Sequence, residues 1–293
     1  MTARSVQLLQ CCFAAISSCC SLSTTRSYTT IISTGIFRKN RIVSGVLKPP
    51  LRTTMIVSRR MMMSGDENGS TLTGEEVRIF CYGDSLTAGT CSDTPFELFP
   101  YAPHLEKLLN NNDANSENYR RFVVRHRGLP GWTAKEMVRV ADEPQYGLRT
   151  IIKNIKDPSL SVVIILAGTN DVGYAISSSS SNDDGAKSVV SDVTALHEMV
   201  WQQGIKTIGV GIPPSGYQSM VNDAKVVVDN VNGQLRTLLS EQQTDLKTTF
   251  VEFPFEYQPN GENWSSDGLH FSPKGYEVLA RHLAQPVRDV VLS

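Results

Sequence analysis

Residues 77–90 read Val-Arg-Ile-Phe-Cys-Tyr-Gly-Asp-Ser-Leu-Thr-Ala-Gly-Thr, an apolar and aromatic run that ends in a glycine-flanked polar turn. Val77, Ile79, Phe80, Cys81 and Tyr82 fall on both faces of an extended strand, the pattern of a parallel strand covered by helices on each side. Gly83 is expected to allow a turn that a residue with a Cβ would resist. Asp84 and Ser85 then stand at the carboxyl end of the strand, where open α/β sheets hold their ligands. Ser85 is the candidate nucleophile, and Asp84 reads as a turn residue bonding nearby amides.

Beyond this stretch, strand and helix alternate. Ala102, Leu105, Leu108 and Leu109 give residues 101–110 one apolar side, and the Asn-rich run 110–118 reads as a surface loop. Residues 122–126 form a second short strand that ends at Arg127-Gly-Leu-Pro-Gly131. Thr133 and Glu136 have the spacing of a capping box for a helix through Val140, and 148–155 is a further short helix. Residues 162–167 are the clearest strand, followed by Gly168-Thr-Asn-Asp171. Val189, Val193, Leu196 and Val200 mark a helix, 207–212 a strand, 221–238 a longer helix and 250–253 a fifth strand. Ser272 and Pro273 open a final helix that carries Tyr276, Leu279, Ala280 and Leu283. Five strands separated by helices predict one three-layer α/β domain.

Two tempting motifs fail on spacing. The Ser177–Ser181 tract with Asn182, Asp183 and Asp184 lacks the ligand spacing of a calcium loop and reads as a mobile polar insertion. Gly209-x-Gly211 with Gly216 has its third glycine misplaced and two prolines where a helix would begin, so it is not a dinucleotide fingerprint.

Upstream, the composition changes. Residues 1–65 hold nine Lys or Arg and no Asp or Glu, and they are rich in Ser and Thr. This is the make-up of an organelle-targeting leader, mitochondrial or plastid, although the short apolar run behind Arg4 leaves a secretory signal as the alternative. That run is too short to span a bilayer. The organisation expected is a leader over 1–65, a linker over 66–76 and a catalytic domain over 77–293. Past the leader remain 19 basic and all 29 acidic residues, a formal charge of −10, which argues against a nucleic-acid partner. Cys81 and Cys91 alone remain in the domain, so there is neither a disulfide framework nor a Cys-x-x-Cys metal spacing.

Four polar clusters fall at strand ends or just before the last helix: Ser85, Gly131, Asn170 and Asp267-Gly-Leu-His270. In a parallel sheet these ends share one edge, so residues far apart in sequence can converge. Acyl transfer needs a base for the serine, a group that orients the base and donors for the developing oxyanion. His270 can take and return the proton, since an imidazole titrates near neutrality. Asp267 can hold the other ring nitrogen. The backbone N–H groups of Ser85 and Gly131 and the side-chain amide of Asn170 can form the oxyanion hole. His126, at the end of the second strand, is the rival base but has no carboxylate near it in sequence. Phe96, Leu98, Phe99 and Tyr101, with Pro213, Pro214, Tyr217 and Trp264, can either line a substrate pocket or pack loops onto the sheet.

The blocks Gly83-Asp-Ser-Leu86, Gly128-x-x-Gly131-x-Thr133, Gly168-Thr-Asn-Asp171 and Asp267-x-x-His270 resemble, in order, the four blocks of the SGNH hydrolases, also called the GDSL esterase/lipase family. The resemblance spans residues 77–285. It implies a flavodoxin-like five-stranded parallel sheet, a serine esterase that needs neither cofactor nor metal, and the residue roles given above. Pro130 departs from the family pattern, which more often has Ser there, and stiffens that turn. The expected substrate is a small-molecule or lipid ester, and the oligomeric state is left open. Lysophospholipase, thioesterase or acyltransferase activity would use the same residues. Outside this chemistry stand a non-catalytic carbohydrate-binding module of the same fold and a phosphoryl-acceptor domain using Asp84.

Overall fold

The computed structural model describes residues 75–111, 120–156, 159–241 and 248–293. The leader and most of the linker lie outside the described residues, as does nearly all of the Asn-rich run. The first strand, β1 (Glu75–Gly83), is extended as its composition dictates: Val77, Ile79 and Cys81 are buried on one face, Phe80 and Tyr82 on the other. Ser85–Ala88 then form a single helical turn, α1. Helix α2 (Tyr101–Asn111) follows, and then strand β2 (Arg120–Gly128).

Thr133 opens α3 (Ala134–Arg139) with the expected capping box: its side chain accepts the Glu136 N–H, and Glu136 accepts the Thr133 N–H. Helix α4 spans Leu148–Asn154 and strand β3 Leu160–Leu166. After β3 the reading of a mobile serine insertion fails. The tract instead joins α5 (Asp171–Ser178) to α6 (Asn182–Trp201). Ser181 is the N-cap of α6, accepting the Asp184 N–H, while Ser180 and Ser181 both donate to the Asp184 carboxylate. Short polar side chains that favour loops also favour helix starts, and here the second use wins.

The chain continues through β4 (Lys206–Val210), a short α7 (Gly216–Met220), α8 (Asn222–Glu241), β5 (Thr248–Val251) and α9 (Pro273–Leu292). Ser272 caps α9 and Pro273 begins it, as the sequence suggests. All neighbouring strands pair in parallel, in the order β2-β1-β3-β4-β5. Each face carries its own core. Helices α2 and α9 cover the face bearing Val77, Ile79, Cys81, Val162 and Ile164, whereas α3 to α6 and α8 cover Phe80, Tyr82, Val163 and Ile165. This is the three-layer α/β architecture, and it explains why Ile79–Tyr82 of β1 and Val162–Leu166 of β3 are apolar in unbroken runs rather than alternating.

The order also places the site. β1 is followed by a neighbour on one side (β2) and later by a neighbour on the other (β3), so the gap beyond the carboxyl ends of β1 and β3 is a topological switch point. Ser85 leaves β1 at that gap, and Asn170 leaves β3.

Candidate active site

Gly83 ends β1, and its role differs from the expected turn. A Cβ there would sit 1.9 Å from the Leu166 carbonyl oxygen at the end of β3. The glycine is thus required by the close approach of two backbones. It lets Asp84 begin α1 against β3, with the Asp84 N–H donating to Leu166 O at 3.3 Å. Asp84 is the N-cap: its Oδ1 accepts the Leu86 N–H at 2.9 Å. That cap leaves the Ser85 N–H among the orphan donors that begin every helix.

The structure brings Ser85, His270 and Asp267 together. His270 Nε2 lies 2.9 Å from Ser85 Oγ, and His270 Nδ1 lies 2.6 Å from Asp267 Oδ2. Ser85 and His270 are both buried. Burial pushes the Asp267 carboxyl pKa up, but the hydrogen bond and charge of His270, with the N–H groups of Leu269 and His270 on its oxygens, hold it below its ordinary value. An ionised carboxylate only accepts, so Nδ1 carries the ring proton and Nε2 is left to accept from the serine hydroxyl. His126 is exposed on β2 and pairs in register with Cys81, so it is His270 that reaches Ser85.

The turn carrying Asp267 is braced by a segment that sequence reasoning passed over. Ser92 Oγ accepts the Asp267 N–H at 3.4 Å, Asp93 accepts the Ser266 N–H at 3.1 Å, and Ser265 Oγ lies 3.2 Å from Cys91 Sγ. Tyr276 at the start of α9 donates to Thr90 O at 2.6 Å. These contacts join positions more than 170 residues apart, between side chains typical of any loop, so no local signal marks them.

On the other flank, Gly131 has φ of 79°, in the left-handed region that favours glycine. Asn170 Nδ2 donates to Trp132 O at 2.9 Å, which ties the Asn170 side chain to the Gly131 turn. An amide NH2 has two hydrogens, so a second donor remains. Asp171, the next residue, accepts the Ala134 N–H on both carboxylate oxygens at 3.1 and 2.9 Å and so caps α3. Burial, with the charges of Asp192 and Asp84, pushes its pKa up to about 7 against the pull of the Ala134 and Lys135 N–H groups.

The expected substrate-pocket residues divide. Tyr101 is wholly buried in the α2/α9 core, and Trp264 is packed edge-on among Phe255, Tyr257 and Phe271. Both are core residues, because a large aromatic ring near a loop still finds its best partner in other rings. Pro213 is buried, and Phe99 and Tyr217 are half-buried. Phe96 projects almost fully into solvent, 99% exposed, and Leu98 is 62% exposed. A cavity of about 370 Å³ lies between α3, α5 and α6, lined by Thr133, Asp171, Tyr174 and Asp192 among others, and a second of about 350 Å³ is lined by Gln218, Phe253 and Tyr257 among others. Ser85 lines neither. Among the described residues, no group of three or more His, Cys, Asp or Glu is placed to hold a metal ion, and no helix is long and apolar enough to cross a membrane.

Comparison with known proteins agrees with this architecture. The model of the GDSL-like Lipase/Acylhydrolase family matches residues 81–278. Among solved structures, a carbohydrate acetylesterase family member from Sinorhizobium meliloti is similar with a TM-score of 0.54 at 20% identity, over 74% of this chain and 100% of that one. The native M. smegmatis aryl esterase has a TM-score of 0.52 at 18% identity, over 73% and 99%. A carbohydrate esterase family 3 structure from Talaromyces cellulolyticus has a TM-score of 0.52 at 17% identity, over 73% and 98%. At these identities the likeness shows the fold. No curated protein matches the sequence.

Proposed function

We propose that this chain, which belongs to the GDSL-like lipase/acylhydrolase family and so is a serine ester hydrolase, carries its acyl group on Ser85. The observation that supports this most is the chain of short contacts from Asp267 through His270 to Ser85 Oγ, 2.6 and 2.9 Å. Ser85 Oγ attacks the ester carbonyl carbon while its proton moves to His270 Nε2. The carbonyl oxygen gains the electron pair as an oxyanion, met by the N–H groups of Ser85 and Gly131 and the second amide hydrogen of Asn170. The pair returns, the bond to the alcohol oxygen breaks, and His270 gives that oxygen its proton. Water then attacks the acyl-enzyme with His270 as base, and the carboxylic acid leaves.

Asp267 serves by keeping the imidazole in one tautomer and by stabilising the imidazolium that forms twice per turnover. As for substrate, similar structures include a carbohydrate acetylesterase family member and an acetyl esterase, which supports a short acyl group as the first to try.

The test uses the full chain. Fluorophosphonate labelling is expected at Ser85, with hydrolysis of p-nitrophenyl acetate exceeding that of the butyrate and palmitate. Ser85→Ala should lose at least about 10³-fold in kcat and all labelling. A folded wild-type protein that neither labels nor turns over any of the three esters would overturn the proposal.

A further inference from the structure

Two consecutive side chains at the end of β3 grip one turn. Asn170 Nδ2 donates to Trp132 O at 2.9 Å, and Asp171 accepts the Ala134 N–H on its two oxygens at 3.1 and 2.9 Å. Trp132 and Ala134 lie one and three residues past Gly131, so both bonds fall on the segment that leads from Gly131 into α3. The near side of the turn is closed by its own backbone, the Trp132 N–H donating to Leu129 O at 3.1 Å. What ties the turn to the strand beside it is the pair of side chains that cross from β3.

The Asp171 bond serves more than the helix it caps. Helix α3 opens with a capping box of its own, which satisfies the Thr133 and Glu136 N–H groups from within. The Ala134 N–H instead takes its partner from 37 residues away. That partner is a carboxyl only 6% exposed. The ionisable groups around it are Asp84 of α1, Lys135 and Glu136 of α3 and Asp192 of α6. Such company suits another negative charge badly, and burial with the charges of Asp192 and Asp84 pushes the Asp171 pKa up to about 7. A neutral hydroxyl or amide satisfies an N–H at less cost. Nor does a negative charge favour an oxyanion near it. What the site gains from Asp171 is the position of an acceptor oxygen, which the carboxyl keeps whether ionised or protonated.

We propose that Asp171 is a positioning residue of the oxyanion hole: through the Ala134 N–H it holds the Gly131 turn against the end of β3, and so keeps the Gly131 N–H and the Asn170 amide at one separation. The inference rests on the esterase function proposed above. Donors placed in advance stabilise a charge that exists only in the transition state, so loosening them falls on kcat and not on KM.

The experiment cuts the bond from either end. Asp171→Ala removes the acceptor. Ala134→Pro removes the donor at the first helical position, where proline is accepted, and Thr133 before it is already extended at φ −78° and ψ 158°. These two, their double variant, Asp171→Asn and Ser85→Ala are made in the full chain and assayed on p-nitrophenyl acetate. Turnover is counted per serine labelled by fluorophosphonate, and per mole of protein for Ser85→Ala. Each single cut is expected to lose about tenfold in kcat with KM within about twofold of wild type, and the double variant to lose no more than either. Asp171→Asn keeps an acceptor oxygen without the charge and should recover most of the loss. Wild-type kcat in Asp171→Ala or Ala134→Pro would overturn the proposal, even with a lowered Tm, the mark of a bond that only stabilises. So would a loss carried by KM, losses that multiply in the double variant, or a tenfold loss in Asp171→Asn. Should Asp171→Ala fail to fold, Ala134→Pro and Asp171→Asn decide by the same outcomes. If Ser85→Ala is inactive while Asp171→Ala matches wild type, this proposal falls and the esterase reading stands. If Ser85→Ala is fully active, the esterase reading itself has failed.

Discussion

The two flanks of Ser85 are built on opposite terms. On the His270 side every polar atom of the relay is engaged before substrate arrives: Nε2 with Ser85 Oγ, Nδ1 with Asp267 Oδ2, and Asp267 Oδ1 with two backbone N–H groups. On the Asn170 side, donors and acceptors are left over, among them the uncapped Ser85 N–H, the unpartnered Asp84 Oδ2 and the unpartnered Thr169 Oγ1. The difference is one of timing. A proton relay must hold a single tautomer throughout the cycle, so it gains from being closed in the ground state. Groups that meet a charge existing only in the transition state gain from being unengaged until then.

The sharpest way to break the comparison is on the closed side. Asp267→Asn keeps the shape but lets the side chain donate to the ring, which favours the wrong tautomer. A loss of about 10⁴-fold in kcat is expected, with the fold unchanged by circular dichroism. On the open side Asn170→Ala should cost less, about 10²- to 10³-fold in kcat with KM nearly unchanged. Similar losses on the two sides would mean that the open donors are not reserved for the oxyanion.

An unpartnered atom away from Ser85 tests whether open groups matter only at the site. His197 Nε2 is buried on α6, and the ring's Nδ1 lies 2.9 Å from Thr207 Oγ1 on β4. Burial lowers its pKa from 6.5 to about 3. The unfolded chain then binds a proton that the folded chain refuses, so stability contributed by His197 is full above pH 6.5 and is lost as pH falls toward 3. Asp84 and Asp171, raised to about 6 and about 7, have the opposite slope, and their burial is penalised as pH rises. Urea unfolding of wild type and His197→Gln at pH 7.5 and 4.5 separates the terms: the wild-type loss between these pH values should exceed the variant's by about 3 kcal/mol at most, with kcat per folded molecule unaltered. A smaller effect again is expected at Gly131. Ala there must adopt φ of 79°, at a strain of about 1 kcal/mol, read as a drop in Tm of a few degrees.

How much could be read in advance follows the reach of each signal. The strand of residues 77–82, the Thr133–Glu136 capping box and the Ser272-Pro273 helix start are local, with their causes in adjacent residues, and each is found where the sequence puts it. So too is the His270 turn, because Asp267 and His270 are three residues apart and one turn of chain brings them together. The serine tract misled because Ser, Asn and Asp serve loops and caps alike, and the choice depends on the apolar face of α6 further on. Tyr101 and Trp264 misled because a ring's identity does not reveal which side of the chain it faces. The braces from Ser92 and Asp93 depend on contacts between distant segments and leave no periodicity to find.

One of those long contacts bears on the life of the molecule before it is complete. Ser85 and His270 are 185 residues apart. On the mechanism proposed above, a chain emerging from the ribosome displays its nucleophile long before its base exists. Until the segment around His270 has emerged and settled against Thr90–Asp93, Ser85 is an ordinary alcohol. On that mechanism the half-made protein cannot hydrolyse esters during its own synthesis, and hydrolytic competence waits for the docking of the segment that carries His270.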